Sequence, residues 1–323
     1  MVVRPFHLCC FRCGMEKKMR TMTDVDETLS GRDWSELPQD ALMSILGKFG
    51  ALEILMGAGA VCHSWLEAAK VPDLWRSVDM TQHELLDVLD DQGRYTCDRK
   101  ILQTNFEVLC AMARVAVDRS GGQLEAFHGK LFVNDELLKY IADRYIYIYI
   151  HGLPKRLAIL LLVSFPSMTM SFVLSHHRSP ALKTLSIISC DGVSSHGFTH
   201  LIAKCPMLED LKLVECINLR RRETYQAIAK ACAQLKRFTL CNLPTLEFLL
   251  SRSSGEEADG VVAMHELRSL TLTNCNVTNN YLAAILDGCP HLEVLDLRLC
   301  IVIDIDPTLM ARCAAIKSLR LPA

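Results

Sequence analysis

Thiols are the side chains in this chain best equipped for chemistry, and there are fifteen cysteines in 323 residues. A thiolate can attack an electrophile, ligate a soft metal or pair into a disulfide, and spacing decides which. Cys9, Cys10 and Cys13 share the run LCCFRCG with His7 close by. No second CxxC follows at zinc-finger distance, so these four side chains read as incidental members of a flexible tail over residues 1–33. No nucleophile–base pairing or ligand cluster stands elsewhere. The expectation is therefore no catalytic residue, no bound metal and no cofactor.

Bulk properties narrow the class. Net charge is −2, which removes a whole-protein argument for nucleic acid or an anionic membrane. Half of the residues are apolar, enough for a sizeable core. The first thirty residues hold scattered charges and no apolar run of signal-peptide length. An odd number of cysteines without a leader places the chain in the reducing cytoplasm and/or nucleus, with thiols free.

The remaining cysteines become intelligible once a repeat is seen. Four segments match L/I-x-x-L-x-L/I-x-x-C: Leu182–Cys190, Leu208–Cys216, Leu267–Cys275 and Leu292–Cys300. A fifth, Leu157-Leu160-Leu162-Phe165, ends on phenylalanine, and a sixth, Leu235-Phe238-Leu240, has Leu243 in the cysteine position. A partial turn is Ile316-Leu319-Leu321, and a degenerate one starts at Leu124. Starts from 157 to 316 are 25, 26, 27, 32, 25 and 24 residues apart, the longest gap holding the polar stretch SRSSGEEADG. Helical stretches such as SHGFTHLIAKC and NNYLAAILDGC follow the strands and close on Cys205, Cys232, Cys289 and Cys313. Eight of the fifteen cysteines thus fill two repeat positions, where a small, weakly polar, buried side chain suits a turn. This is the leucine-rich-repeat signature, and it resembles the cysteine-containing class.

Apolar residues alternate on a strand, so residues between the leucines face the concave side. Those positions are Thr184, Ser186 and Ile188; Asp210, Lys212 and Val214; Arg237 and Thr239; Ser269, Thr271 and Thr273; Val294, Asp296 and Arg298. The strip is mixed and polar, which suits a protein or peptide better than an apolar ligand. Three segments stay outside the scheme. LAILLLVSFPSMTMSFVLS (157–175) has membrane-like hydropathy, but Pro166 and its repeat pattern favour a buried repeat. RYIYIYIHG (144–152) has the alternation of a strand or of an insertion between repeats. Arg220-Arg221-Arg222 reads as a solvated loop. The C-terminal end, stopping in half a repeat, reads as bare or truncated.

Residues 34–76 have a different period. Ser35 can cap a helix starting near Pro38; Leu42, Ile45, Leu46 and Phe49 line one face, Leu52, Leu55 and Met56 a second stripe, and Val61, Cys62, Trp65, Leu66 and Ala69 a third. Three short helices cannot bury all of these, so an exposed apolar partner site is expected. Leu37-Pro38, Leu42-x-x-Ile45-Leu46, Val61-Cys62-x-x-Trp65 and Leu74-Trp75-Arg76 resemble the F-box; Ile54 departs from its usual acidic residue. The resemblance implies binding of a Skp-type adaptor, and through it a cullin and a RING subunit, by Leu37, Pro38, Leu42, Ile45, Leu46, Val61, Cys62 and Trp65. With the repeats it is similar to plant F-box/leucine-rich-repeat proteins. It implies an α/β architecture: a three-helix F-box (34–76), a helical connector (77–123) and a short right-handed solenoid (124–323) with strands concave and helices convex. The implied role is non-catalytic: the substrate-recognition subunit of an SCF-type ubiquitin ligase, with an unidentified target protein on the concave face. The alternative is a repeat scaffold outside any ligase.

Overall fold

The computed structural model describes residues 34–82, 99–152, 182–242, 258–302 and 306–321. Three short helices open it: α1 (Gln39–Leu46), α2 (Ala51–Met56) and α3 (His63–Ala68). Leu42 and Leu46, one turn apart on α1, are buried with Ala51 and Ile54 of α2 and Ala68 of α3. Ile54, the departure from the F-box pattern, is thus a core residue. Glu53 reaches back to accept from the Gly50 N–H at 3.1 Å and starts α2. Pro38 is the N-cap of α1 and no side chain caps that helix, so the expected cap by Ser35 does not form.

The remainder is one parallel sheet with helices in the connections. Its order is β1 (Ser77–Met80), β2 (Ala126–Lys130), β3 (Thr184–Ile188), β4 (Asp210–Val214), β5 (Arg237–Cys241), β6 (Ser269–Thr273), β8 (Val294–Asp296) and β10 (Ser318–Arg320). β7 (Asn276–Val277) and β9 (Ile301–Val302) form a separate pair. The connecting helices are α4 (Arg99–Arg119), α5 (Asp135–Gly152), α6 (Ser195–Ile202), α7 (Arg222–Ala231), α8 (Ala258–Val262), α9 (Asn279–Gly288) and α10 (Pro307–Cys313). Ser194, Thr278 and Asp306 cap α6, α9 and α10 by accepting from the third residue on. The sheet is open, as a repeat solenoid requires.

The register makes three inward rows. Trp75, Leu124, Leu182, Leu208, Leu235, Leu267 and Leu292 start the rungs; Val78, Phe127, Leu185, Leu211, Phe238, Leu270 and Leu295 follow; Met80, Ile187, Leu213, Leu240, Leu272 and Leu297 complete them. All are buried, in one core with Phe198, Leu201, Ile202, Tyr225, Ile228, Leu282 and Ile285 from the helices. Each such leucine contributes about 1.5–3 kcal/mol by leaving water. Ile316, Leu319 and Leu321, in the rung of β10, are half-buried.

Three expectations change. Ser77–Met80 is not the start of a helical connector but a strand, with Trp75-x-x-Val78-x-Met80 reproducing the repeat frame. β2 pairs directly with β3, Ala126 beside Thr184, so no rung starting at Leu157 stands between them. Residues 157–175 themselves lie outside the described residues, as do the N-terminal cysteines. RYIYIYIHG is helical, the last two turns of α5, not a strand; propensity there yields to continuation of an established helix.

Candidate functional sites

The first site is the surface of α1–α3. Of the expected adaptor contacts, Leu42 and Leu46 are buried inside the chain and cannot meet a partner; they hold the three helices together. Leu37, Ile45, Cys62 and Trp65 are half-buried, and Pro38 and Val61 are exposed, Val61 to 56%. Two exposed aromatics extend the apolar surface of this segment: Trp34 (58%) and Phe49 (43%). Trp34 lies just before the motif and Phe49 just after the helix, and spacing alone could not say that they stay in solvent. The N-terminal turn is clipped to α3: Trp65 Nε1 donates to the Trp34 carbonyl at 3.0 Å, and Ser64 Oγ donates to the Ser35 carbonyl at 2.9 Å. Trp34, Phe49 and Val61 are the large apolar side chains this segment leaves exposed, and such side chains suit a partner's groove.

The second site is the outward face of the sheet. Register aligns two rows across all eight strands: Ser77, Ala126, Thr184, Asp210, Arg237, Ser269, Val294, Ser318, and Asp79, His128, Ser186, Lys212, Thr239, Thr271, Asp296, Arg320. All of the expected face residues lie in these rows or, with Ile188, Val214, Thr273 and Arg298, next to them. Two are less available than alternation implies. Ser186 and Asp296 are buried, Asp296 held by Arg298 Nε (3.0 Å), Arg298 Nη2 (2.7 Å) and Arg320 Nη1 (3.4 Å). The hydrogen bond from Arg298 holds the Asp296 carboxyl below its ordinary pKa. Sequence reading missed β1, because Trp75 and Leu124 lie further apart than the repeat period, and saw β2 only as a degenerate repeat starting at Leu124, without its outward residues.

A third row precedes the strands: Arg76, Glu125, Lys183, Glu209, Lys236, Arg268, Glu293, Lys317. Glu125 pairs with Lys183 (3.1 Å) and Arg76 (3.4 Å), Glu209 with Lys236 (2.9 Å), and Glu293 with Lys317 (2.8 Å) and Arg268 (3.4 Å). Hydrogen bonds from Lys183, Lys236 and Lys317 lower the pKa of these three half-exposed glutamates. The alternation fails once, where Lys236 meets Arg268.

The repeat cysteines are structural. Cys190 and Cys216 donate from Sγ to the Ile188 and Val214 carbonyls at 3.1 and 3.3 Å; Cys232 and Cys289 point at the Cys205 and Met264 carbonyls. Desolvation raises the thiol pKa of Cys190 and Cys232 to about 12 and of Cys289 to about 11. Protonated, buried thiols neither attack nor ligate. Among the described residues no group of three or more His, Cys, Asp or Glu is placed to hold a metal. No helix of the described residues is long and apolar enough to cross a membrane.

Comparison with known proteins matches this arrangement. The F-box-like family matches residues 34–81, which takes in β1. The Arabidopsis thaliana protein "Putative F-box/LRR-repeat protein 23" is 33% identical over 294 residues, 90% of this chain and 54% of that protein, so the chain spans about half of that relative's length. "F-box protein SKIP19" of the same plant is 32% identical over 292 residues, 90% of this chain and 77% of its own length. "Putative F-box/LRR-repeat protein 21" is 31% identical over 308 residues, 90% of this chain and 82% of that protein.

Proposed function

The chain belongs to the plant F-box/leucine-rich-repeat family, and from that premise we propose that it is the substrate-recognition subunit of an SCF-type ubiquitin ligase. In this reading the apolar surface of α1–α3, with Pro38, Ile45, Val61 and Trp65 at its centre and Trp34 and Phe49 beside them, docks in the groove of a Skp-type adaptor, and the adaptor brings the cullin and RING subunit. The outward face of the sheet takes the target protein. The chain works by positioning, without a catalytic residue of its own, in the cytoplasm and/or nucleus.

The observation that carries this reading is the continuity of the two parts. β1 directly follows the F-box helices and is also the first strand of the receptor sheet, pairing with β2 from Ser77↔Ala126 to Met80↔Gly129. A target bound to the sheet is therefore held at a fixed distance and angle from the adaptor. Fixed geometry raises the effective concentration of target lysines near a charged ubiquitin carrier, which a flexible tether does less well.

The test is capture of a Skp-type adaptor by the purified chain. Wild type retains the adaptor, and a Leu37→Ala, Pro38→Ala double variant loses it. Failure of wild type to retain it, or equal retention by the variant, would favour a repeat scaffold outside a ligase.

A further inference from the structure

The outward face is not uniform in charge. On β1–β4 and the residue before each strand, Arg76, Lys130, Lys183 and Lys212 are matched by Asp79, Glu125, Glu209 and Asp210. On β5, β6, β8 and β10 with the same flanking positions, Lys236, Arg237, Arg268, Lys317 and Arg320, joined by Arg298 two residues past β8, outnumber Glu293 and Asp296, while Lys236 and Arg237 pair back to Glu209 and Asp210 at β4. The excess arises where the ion-pair row breaks, at Lys236 and Arg268, and at the far edge, where two arginines share Asp296. Arg237 is more than half exposed although it pairs with Asp210 at 2.8 Å, and Arg320 is more than half exposed.

Between these cations lies a band of hydroxyls. Thr239, Ser269, Thr271 and Thr273 are half-exposed on β5 and β6. Their side chains have no hydrogen-bond partner among the described residues. A surface of surplus guanidinium groups enclosing unused donors is complementary to an anion-bearing strand, since each arginine presents a planar fork to a carboxylate. Strands are about 4.8 Å apart, so β5 and β8 are about 10 Å apart, the rise of three extended residues. Arg237 lies in the row of Val294 and Ser318, whereas Arg320 lies in the row of Asp296 further along, so a peptide running obliquely from Arg237 to the Arg298–Arg320 pair spans about 16 Å, about five extended residues.

We propose that the C-terminal half of this face, β5 to β10, binds an acidic extended segment of the target protein, with carboxylates about five residues apart meeting Arg237 and the Arg298–Arg320 pair while the threonine and serine hydroxyls contact its backbone. This rests on the reading of the face as the target-binding surface. Asp210 competes for Arg237 and tempers the site; its removal should strengthen it.

The experiment uses the full chain with its adaptor and a fluorescent twelve-residue peptide with two Glu residues five positions apart among Gly and Ser. Two comparison peptides carry Gln or phosphoserine at the same positions. Anisotropy should show the Glu peptide binding at low salt, weakening as ionic strength rises, and the Gln peptide binding at least about tenfold more weakly. Arg237→Gln with Arg320→Gln should weaken the Glu peptide about fivefold, at an unchanged melting temperature. Asp210→Asn should tighten it. Equal binding of Glu and Gln peptides, indifference to the arginine pair, or no gain in Asp210→Asn would overturn the proposal, and binding of the phosphoserine peptide alone would overturn the carboxylate assignment. Adaptor retention measured on the same samples separates the two readings: retained adaptor without acidic preference sinks only this proposal, and preference without adaptor supports it while sinking the ligase reading.

Discussion

The guanidinium of Arg119 lies 5.2 Å above the ring of Trp75, and both side chains donate to one acceptor, the Ala69 carbonyl, Trp75 Nε1 at 2.9 Å and Arg119 Nη1 at 3.4 Å. Ala69 is the C-cap of α3, Trp75 opens the first rung of the sheet, and Arg119 ends α4. Three elements from the F-box, the sheet and the connection between them thus meet at a single carbonyl, and Trp75 is fully buried there.

Trp75→Ala is expected to cost about 3–5 kcal/mol, the usual price of an emptied aromatic site. Because the core is continuous across it, the F-box and repeats of wild type should melt together. Calorimetry of wild type showing two well-separated transitions would mean that the junction is looser than this packing implies.

Core and surface positions of the F-box should separate by phenotype. Val61→Asp places a charge on an exposed apolar position; it should abolish adaptor capture and leave the melting temperature within about a degree or two, since exposed substitutions change stability by less than about 0.5 kcal/mol. Leu46→Ala empties a buried site and should cost about 2–5 kcal/mol. Adaptor capture by folded Leu46→Ala should persist at low temperature. Loss of capture in Leu46→Ala without loss of stability would place Leu46 at the interface after all.

What was legible in the sequence followed from periodicity. Leu182 to Cys216 and Leu267 to Cys300 announce strand, turn and buried thiol through the need to fill identical positions in successive rungs. The F-box pattern gave three helices through the spacing of Leu42, Ile45 and Leu46, but not which of those three is buried; that depends on Ile54 and Ala68 packing from other helices. The rung of Trp75 was hidden because tryptophan replaces leucine and the long α4 stretches the repeat. Leu157-Leu160-Leu162 satisfies the same pattern and lies outside the described residues; what the pattern could not show is that Phe127 and Leu185 are already adjacent in the sheet. The surface rows were legible as alternation; their ion pairing was not, since it depends on which residues become neighbours across strands.

The buried thiols predict a labelling pattern. Desolvation keeps Cys190, Cys232 and Cys289 protonated well above pH 8. Iodoacetamide applied to the native chain should therefore spare their peptides in mass spectra and modify them fully in denaturant. Cys62 and Cys241, half-buried, should react first among the described cysteines. Rapid native modification of Cys232 would contradict a structural role.

Asp296 gives a pH dependence of definite sign. Its folded pKa is lowered, chiefly by the Arg298 hydrogen bond. Its contribution is therefore fully present above the unfolded carboxylate value, about 3.9, and is lost as pH falls through the folded value. Asp296→Asn should cost about 1 kcal/mol at neutral pH. The gap between wild type and variant in urea melts should stay constant from about pH 8 to 5 and close below about pH 4. A gap that widens on acidification would reverse the assignment.

Leu299 carries strain that a substitution should release. After β3, β4, β6 and β8, the residue just before the buried cysteine takes a left-handed conformation: Ser189 (φ 51°), Glu215 (φ 55°), Asn274 (φ 53°) and Leu299 (φ 62°). In that conformation a Cβ crowds the following carbonyl, at about 1–2 kcal/mol for most residues and less for asparagine. Asn274 shows what asparagine gains there, since its side-chain amide donates to the Asn242 carbonyl at 2.8 Å. Leu299 gains nothing comparable, being 71% exposed. Leu299→Asn should therefore raise stability by about 0.5–1 kcal/mol in urea melts. Leu299→Ser removes the exposed apolar chain but keeps an ordinary Cβ, so it should fall near wild type, and Leu299→Val, branched at Cβ, should fall below it. Stabilisation by Ser equal to that by Asn would assign the effect to lost apolar exposure and not to the backbone.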